Sequence, residues 1–190
     1  MATTRDQIIE AMCDLLELQG YHATGLNELI RVSKAPRGSL YYYFPDGKDG
    51  LTAEAIARTG ELVAGRIRRG MPESANPGAA LRGFVEQVAA AVEASGFRAG
   101  GPLTAVAMET ATTNERLNAV CREAFARIEA TFAERLEASG VGAERAAELA
   151  IFITAALEGG IILSRTNHSG EPLRVVARQL ERLVGLGQDQ

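Results

Sequence analysis

Arg37, Gly38 and Ser39, the run Tyr41-Tyr42-Tyr43, and Lys48 bring two cations, a bare backbone position, a hydroxyl and three phenols into one short stretch. That combination suits a polyanion whose backbone carries phosphates and whose edges carry hydrogen-bonding groups. An arginine at a helix N-terminus can reach guanine acceptors or phosphate, and a glycine beside it lets a duplex approach without a Cβ in the way. Ser39 adds a donor and an acceptor. Phenols bond phosphate oxygens, and Lys48, just before a long helical pattern, lies beside backbone amides that favour anions. These phosphate contacts set register more than sequence preference. Any single tyrosine could instead be a core or boundary aromatic. Three in a row cannot all be buried on a helix, because successive residues step about 100° around it.

Two short helices and a tight turn are needed to hold these groups. Apolar residues at Leu26, Leu29 and Ile30 fall three and four apart and predict a helix beginning after Thr24-Gly25, with Thr24 as the capping residue. Ser33-Lys34-Ala35 breaks that pattern. Pro36, whose φ is already helical, then starts a second helix on which Leu40 and Phe44 point inward and Arg37, Ser39, Tyr42 and Tyr43 outward. A first helix over about Thr3 to Gln19, with Ile8, Ile9, Met12, Leu15 and Leu16 on its core side, completes a three-helix unit. Charge agrees with one docking face. Residues 1–50 carry five basic and seven acidic side chains, yet between Arg31 and Lys48 four basic residues meet only Asp46. Positive charge therefore concentrates on the turn and second helix, while the chain as a whole, at net −4, is no general coat for nucleic acid.

The segment from about residue 5 to 52 resembles the N-terminal domain of the TetR family of transcriptional regulators, in the branch that includes LmrA-like repressors of drug exporters. The matching residues are Gly20-Tyr21, Thr24, Gly38-Ser39-Leu40-Tyr41-Tyr42-Tyr43-Phe44 and Lys48. Tyr43 stands where histidine is frequent in that family, and Lys34 where the turn commonly has glycine. A lysine there is strained if φ is positive. The resemblance implies a double-stranded operator as partner and a DNA-contacting set of Thr24, Lys34, Arg37, Gly38, Ser39, Tyr41, Tyr42, Tyr43 and Lys48. It also implies a small-molecule effector in the remainder of the chain and release of a repressor when that effector binds.

Outside this unit the pattern stays helical, so the fold class expected is all-α: a helix-turn-helix domain over 1–50 and a larger effector-binding and dimerisation domain over 51–190. A connector helix is expected from about Lys48 to Arg69, then helices over 77–94, 102–112, 114–138, 143–166 and 172–184, with Gly, Ser and Pro between them. At 46% hydrophobic residues, 190 residues suffice for a proper core in the larger domain. Candidate effector contacts are Phe84, Val88, Phe97, Leu103, Val106, Met108, Phe125, Phe132, Phe152 and Ile153, an adaptable apolar set, with Glu109 as a polar anchor. Most of these also suit an ordinary core, and Glu109 an ordinary ion pair or a solvent-facing position.

Two apolar stripes carry the assembly argument. The first is Leu149, Ile153, Leu157 and Ile161, with small Ala156, Gly160 and Ser164 beside it; the second is Leu173, Val176, Leu180 and Leu183. Either stripe could be buried within one subunit. As a pair they resemble the four-helix dimer interface of TetR-like proteins, and a homodimer also satisfies the need for paired half-sites.

Cys13 and Cys121 fit no metal or redox spacing and read as buried thiols in a reducing cytoplasm. The apolar run Leu149 to Leu163, interrupted by Glu158, is too short to span a bilayer, so no membrane is expected. With two histidines, no phosphate loop and no nucleophile elbow, neither an enzyme nor a metal or cofactor is expected. The alternative to a ligand-responsive regulator is a helical protein-interaction module with a vestigial reading head.

Overall fold

The computed structural model describes residues 3–185, and the described residues are helical with no strand. In chain order they form α1 (Thr4–Ala23), α2 (Leu26–Ser33), α3 (Arg37–Tyr43), α4 (Gly47–Gly70), α5 (Pro77–Ala94), α6 (Pro102–Thr110), α7 (Glu115–Glu137), α8 (Ala143–Asn167) and α9 (Glu171–Gly185). Local chemistry explains most ends. The Thr3 hydroxyl accepts from the Asp6 N–H and the Asp6 carboxylate accepts from the Thr3 N–H, both at 3.2 Å, a reciprocal cap that starts α1. Pro77 and Pro102 sit in the first turns of α5 and α6, where the missing N–H has no partner to lose. Within α1 the backbone breaks at Gly20 (φ 77°, ψ −176°), one residue after the expected end, and a single turn, Tyr21 to Ala23, restarts beyond it.

The chain forms two compact units that do not follow chain order. The first takes the described residues up to Glu61 together with Gly101–Ala124, and so contains α1 to α3, the N-terminal part of α4, α6 and the first part of α7. Its core is built from Ile8, Met12 and Leu16 of α1, Leu29, Leu40, Leu51, Ile56, Val106 and Leu117, all essentially inaccessible. Each such side chain contributes roughly 1.5–3 kcal/mol on burial. Cys121 is buried and Cys13 half-buried; both are free thiols, pushed up by burial, Cys121 to about 11. A Cβ on Gly60 would come within 3.1 Å of the Ala124 Cβ, so α4 and α7 meet there almost backbone to backbone.

The second unit comprises Leu62–Gly100 and the described chain from Phe125 onward. Here α9 packs on both α5 and α8. A Cβ on Gly160 would lie 2.9 Å from Leu173 and 3.3 Å from Val176, so glycine sets how closely α8 and α9 approach. The two apolar stripes expected at a dimer interface serve this packing instead. Leu149, Ile153, Leu157, Gly160 and Ser164 of α8, and Leu173 and Leu180 of α9, are buried inside the protomer, and Ala156, Ile161, Val176 and Leu183 are half-buried. What α8 leaves open is a different apolar face: Ile151, Phe152, Ile162 and Leu163 are about half exposed, with Ala155 exposed between them. The expectation that this region is too short to span a bilayer is also corrected. The helix runs for 25 residues, beyond both ends of the apolar run, and by length and composition alone it could cross a membrane.

Candidate nucleic-acid interface

The turn between α2 and α3 is made by Lys34, which adopts the left-handed conformation (φ 56°, ψ 15°) that a side chain disfavours. Pro36 then directs the chain into α3. Leu40 and Phe44 are buried as their spacing predicts, and the Arg5 guanidinium lies 5.4 Å from the Phe44 ring centroid. With those two anchors inward, the other side of this seven-residue helix faces solvent. Lys34, Arg37 and Gly38 are exposed, Ser39 is half-buried, and Tyr41, Tyr42 and Tyr43 are exposed, Tyr42 to 80%. The rings of Tyr42 and Tyr43 stand edge to face, 5.0 Å apart. Lys34 and Arg37 form no ion pair among the described residues, whereas Arg31 reaches Glu28 at 3.4 Å. A Cβ on Gly38 would meet nothing within 4 Å, so the fold does not require glycine there.

Thr24 is a correction. It is buried, and its hydroxyl donates to the Gly20 carbonyl at 2.7 Å, while the residue preceding α2 is Gly25, with no side-chain cap. The side chain closes the end of α1 and is turned away from solvent, so it offers nothing to a duplex.

Lys48 is half-buried rather than free. Its ammonium sits 4.1 Å from the centroid of the Tyr21 ring, and burial lowers its pKa against the pull of Asp49 and Glu109. Around it runs a polar seam within the first unit. The Tyr21 hydroxyl donates to Asp49 Oδ1, Asn114 Nδ2 donates to Asp49 Oδ2 at 2.8 Å, Arg116 donates to Asp46 at 2.7 Å, and the His22 N–H donates to Glu109 Oε2 at 2.7 Å. Sequence reasoning missed this seam. Its partners are far apart along the chain, and Asp49 and Asn114 sit in unremarkable helix-start contexts.

The expected effector contacts are divided between the two units. Leu103, Val106 and Glu109 lie in the first unit, whereas Phe84, Val88, Phe97, Phe125, Phe132 and Ile153 lie in the second. Phe84 and Phe132 are buried and meet edge to face at 5.8 Å as part of the core, as Ile153, Leu103 and Val106 are part of theirs. Val88, Phe97 and Phe125 are half-buried. Two members are corrected. Met108 (77% exposed) and Phe152 (54% exposed) face outward on their helices and enclose nothing within the protomer. The Glu109 carboxylate is already engaged by the His22 amide. Phe97 has a left-handed backbone (φ 61°) and its ring contacts His168, also left-handed (φ 47°), at 5.5 Å.

A short helix anchored by two apolar residues, preceded by a tight turn and bearing exposed cations and phenols, defines a helix-turn-helix DNA-binding regulator. The chain belongs to the TetR family: residues 8–55 match the domain of bacterial regulatory proteins of the tetR family, and residues 77–179 match the transcriptional regulator LmrA/YxaF-like C-terminal domain. It is 40% identical to the uncharacterized HTH-type transcriptional regulator YxaF of Bacillus subtilis (strain 168), over 95% of each chain. It is 35% identical to the HTH-type transcriptional regulator LmrA of the same organism, over 90% of each. In fold it resembles the crystal structure of regulatory protein TetR from Rhodobacter sphaeroides, with a TM-score of 0.84, 20% identity and coverage of 95% of this chain and 98% of that one. This family consists of transcriptional regulators and not of enzymes.

Proposed function

We propose that this DNA-binding regulator is a cytoplasmic homodimeric repressor whose reading heads, residues 1–50, hold a palindromic operator and leave it when the body, residues 51–190, takes up a small apolar or aromatic effector. The observation that carries the DNA contact is the solvent face of α3 and its turn. There Lys34, Arg37, Tyr41, Tyr42 and Tyr43 are exposed on one short element, and the cations are uncommitted among the described residues. Phosphates meet Lys34 and the phenols; Arg37, at the helix start, reaches a base edge. Ser39 adds a hydroxyl contact, and the bare Gly38 lets the backbone come close. Lys48 contributes from the edge of the face.

Pairing of two heads follows from the exposed apolar face of α8. Ile151 and Ile162 lie three turns apart on one line, with Phe152 and Leu163 on the next, and Val175 of α9 is exposed as well. A second copy covers this face, and a two-fold dimer presents its heads to half-sites about 34 Å apart. In the body, Val88, Phe97 and Phe125 are the members of the effector set that are neither sealed in the core nor outside it. The positive φ of Phe97 fits a residue whose ring position matters more than its backbone comfort. Effector and operator oppose each other, so each weakens the other's binding by the same factor.

Fluorescence anisotropy of the purified protein on a duplex from just upstream of its own gene, against a scrambled duplex, tests the reading. Saturable, sequence-preferring binding at one dimer per site is expected. An apolar ligand that binds the protein is then expected to release the duplex, and ligands that bind while leaving DNA affinity unchanged would sink the effector-release model.

A further inference from the structure

We infer that Glu109 is a positioning residue for operator recognition: from α6 its carboxylate caps the turn that restarts at the break in α1, and so fixes how the reading head is held. At Gly20 the backbone leaves helical geometry before the single turn Tyr21 to Ala23. In that turn the His22 N–H donates to Glu109 Oε2 at 2.7 Å. A carboxylate accepting an amide at the start of a helical turn does what an N-cap does, except that here it comes from an element 87 residues further along the chain.

The fit is close. A Cβ added to Gly20 would collide with the Glu109 carboxylate, and the φ of +77° disfavours a side chain there in any case. Glycine at position 20 therefore serves two demands at once, the break and the approach of Glu109. Immediately beyond the restarted turn come Thr24, Gly25 and α2, so the orientation of this turn is passed to the reading head. Thr24 ties it further, its hydroxyl bonding back to the Gly20 carbonyl at 2.7 Å. From the same face, Asp49 at the start of α4 is held by both Tyr21 and Asn114, and Lys48 lies over the Tyr21 ring. Glu109, an acceptor on α6, thus stands in a row with Asn114 and Arg116, which donate from the start of α7 to Asp49 and Asp46 at the start of α4.

The inference rests on the operator reading, and two conservative variants test it. Glu109→Gln keeps an acceptor of the right reach and loses the charge; Glu109→Asp keeps the charge and loses the reach. The probes are a duplex enriched by the wild-type protein from random-sequence DNA and a scrambled duplex of the same composition. Glu109→Gln is expected to bind the enriched duplex within about threefold of wild type. Glu109→Asp is expected to lose about tenfold, the scale of one hydrogen bond to a charged group. On the scrambled duplex both are expected to change less than about twofold, because phosphate attraction survives a loosely held head.

A Glu109→Asp protein that binds the enriched duplex as wild type does, or better than Glu109→Gln, overturns the inference. So does an equal loss on both duplexes that tracks a fall in melting temperature, which marks a merely structural role. A wild type that enriches no sequence overturns the operator reading and this inference with it; a wild type that enriches one while both variants match it overturns the inference alone.

Discussion

The Tyr21 phenol donates to Asp49 Oδ1 at 2.5 Å, joining the restarted turn after Gly20 to the first turn of α4. Burial, and then the bond to the Asp49 carboxylate, push the Tyr21 pKa up to about 12. A pKa raised in the folded state means stability that is complete below about pH 10 and is lost as pH rises through about 12. Alkaline spectrophotometric titration should reveal one phenol ionising near 12, and that step should vanish in Tyr21→Phe. In Asp49→Asn it should move toward the ordinary value without reaching it, since burial, the larger cause, remains.

Acid should expose the other half of the pair. The Tyr21 hydroxyl, with help from Asn114, Arg116 and Lys48, holds the Asp49 carboxyl below its usual range in spite of burial. A depressed carboxyl contributes stability that is present above about pH 4 and disappears as pH falls through the lower folded value. Asp49→Asn should therefore be less stable than wild type near neutrality, by about 1 kcal/mol once partial exposure is allowed for, and the gap should close as pH falls below the ordinary carboxylate range. Urea titrations across that range measure it. A constant gap at all pH values would mean that the carboxylate's charge plays no part.

The elements were legible in the sequence where the signals are local. Pro36, Pro77 and Pro102 mark helix starts within a residue, Gly20 marks the break in α1, and the spacing of Leu40 and Phe44 identifies the inner side of α3. Thr24 misleads because a threonine before a helical pattern has the composition of a cap, whereas the choice between capping forward and bonding back to Gly20 is made by the preceding helix end. The stripes of α8 and α9 mislead for another reason. A 3.6-residue period says that a face is covered, not whether the cover is the same chain or a second copy, and here Gly160 brings α9 onto it. The grip of Glu109 on His22 was out of reach altogether, since nothing near either residue in sequence names the other.

Lys34 holds a left-handed turn that costs a side chain roughly 1–2 kcal/mol relative to glycine. Lys34→Gly should recover about 1 kcal/mol and raise the melting temperature by about 2–4 °C. The same change removes a cation from the proposed phosphate path, so the dependence of log affinity on log salt should become shallower by about one unit. Paired melting curves and salt titrations would read both effects from one variant. A shallower slope without stabilisation would place the strain elsewhere.

Gly38 makes the matching case on α3 itself. Its Cβ position is empty space, and alanine is preferred to glycine within a helix by up to about 1 kcal/mol. Gly38→Ala should thus fold at least as stably as wild type. If the duplex comes up against this backbone, the added methyl should still weaken operator binding by about tenfold or more, measured by anisotropy. Unchanged affinity would show that the duplex keeps its distance from Gly38.

Phe152 and Ile162 offer the sharpest test of assembly because they are exposed, so a charge placed there meets no buried core in the protomer. If a second copy covers α8, each of these half-exposed side chains contributes roughly 1 kcal/mol to the dimer, and an aspartate in its place adds the cost of desolvating a charge. Phe152→Asp with Ile162→Asp should then sediment at the protomer mass of 20.2 kDa while wild type sediments at twice that. Circular dichroism should stay helical in both. Binding to a palindromic duplex should collapse in the variant, since one head alone makes half the contacts, while binding to an isolated half-site should change little. A variant that remains dimeric would move the interface off this face of α8, and the apolar stripe would then need a different partner.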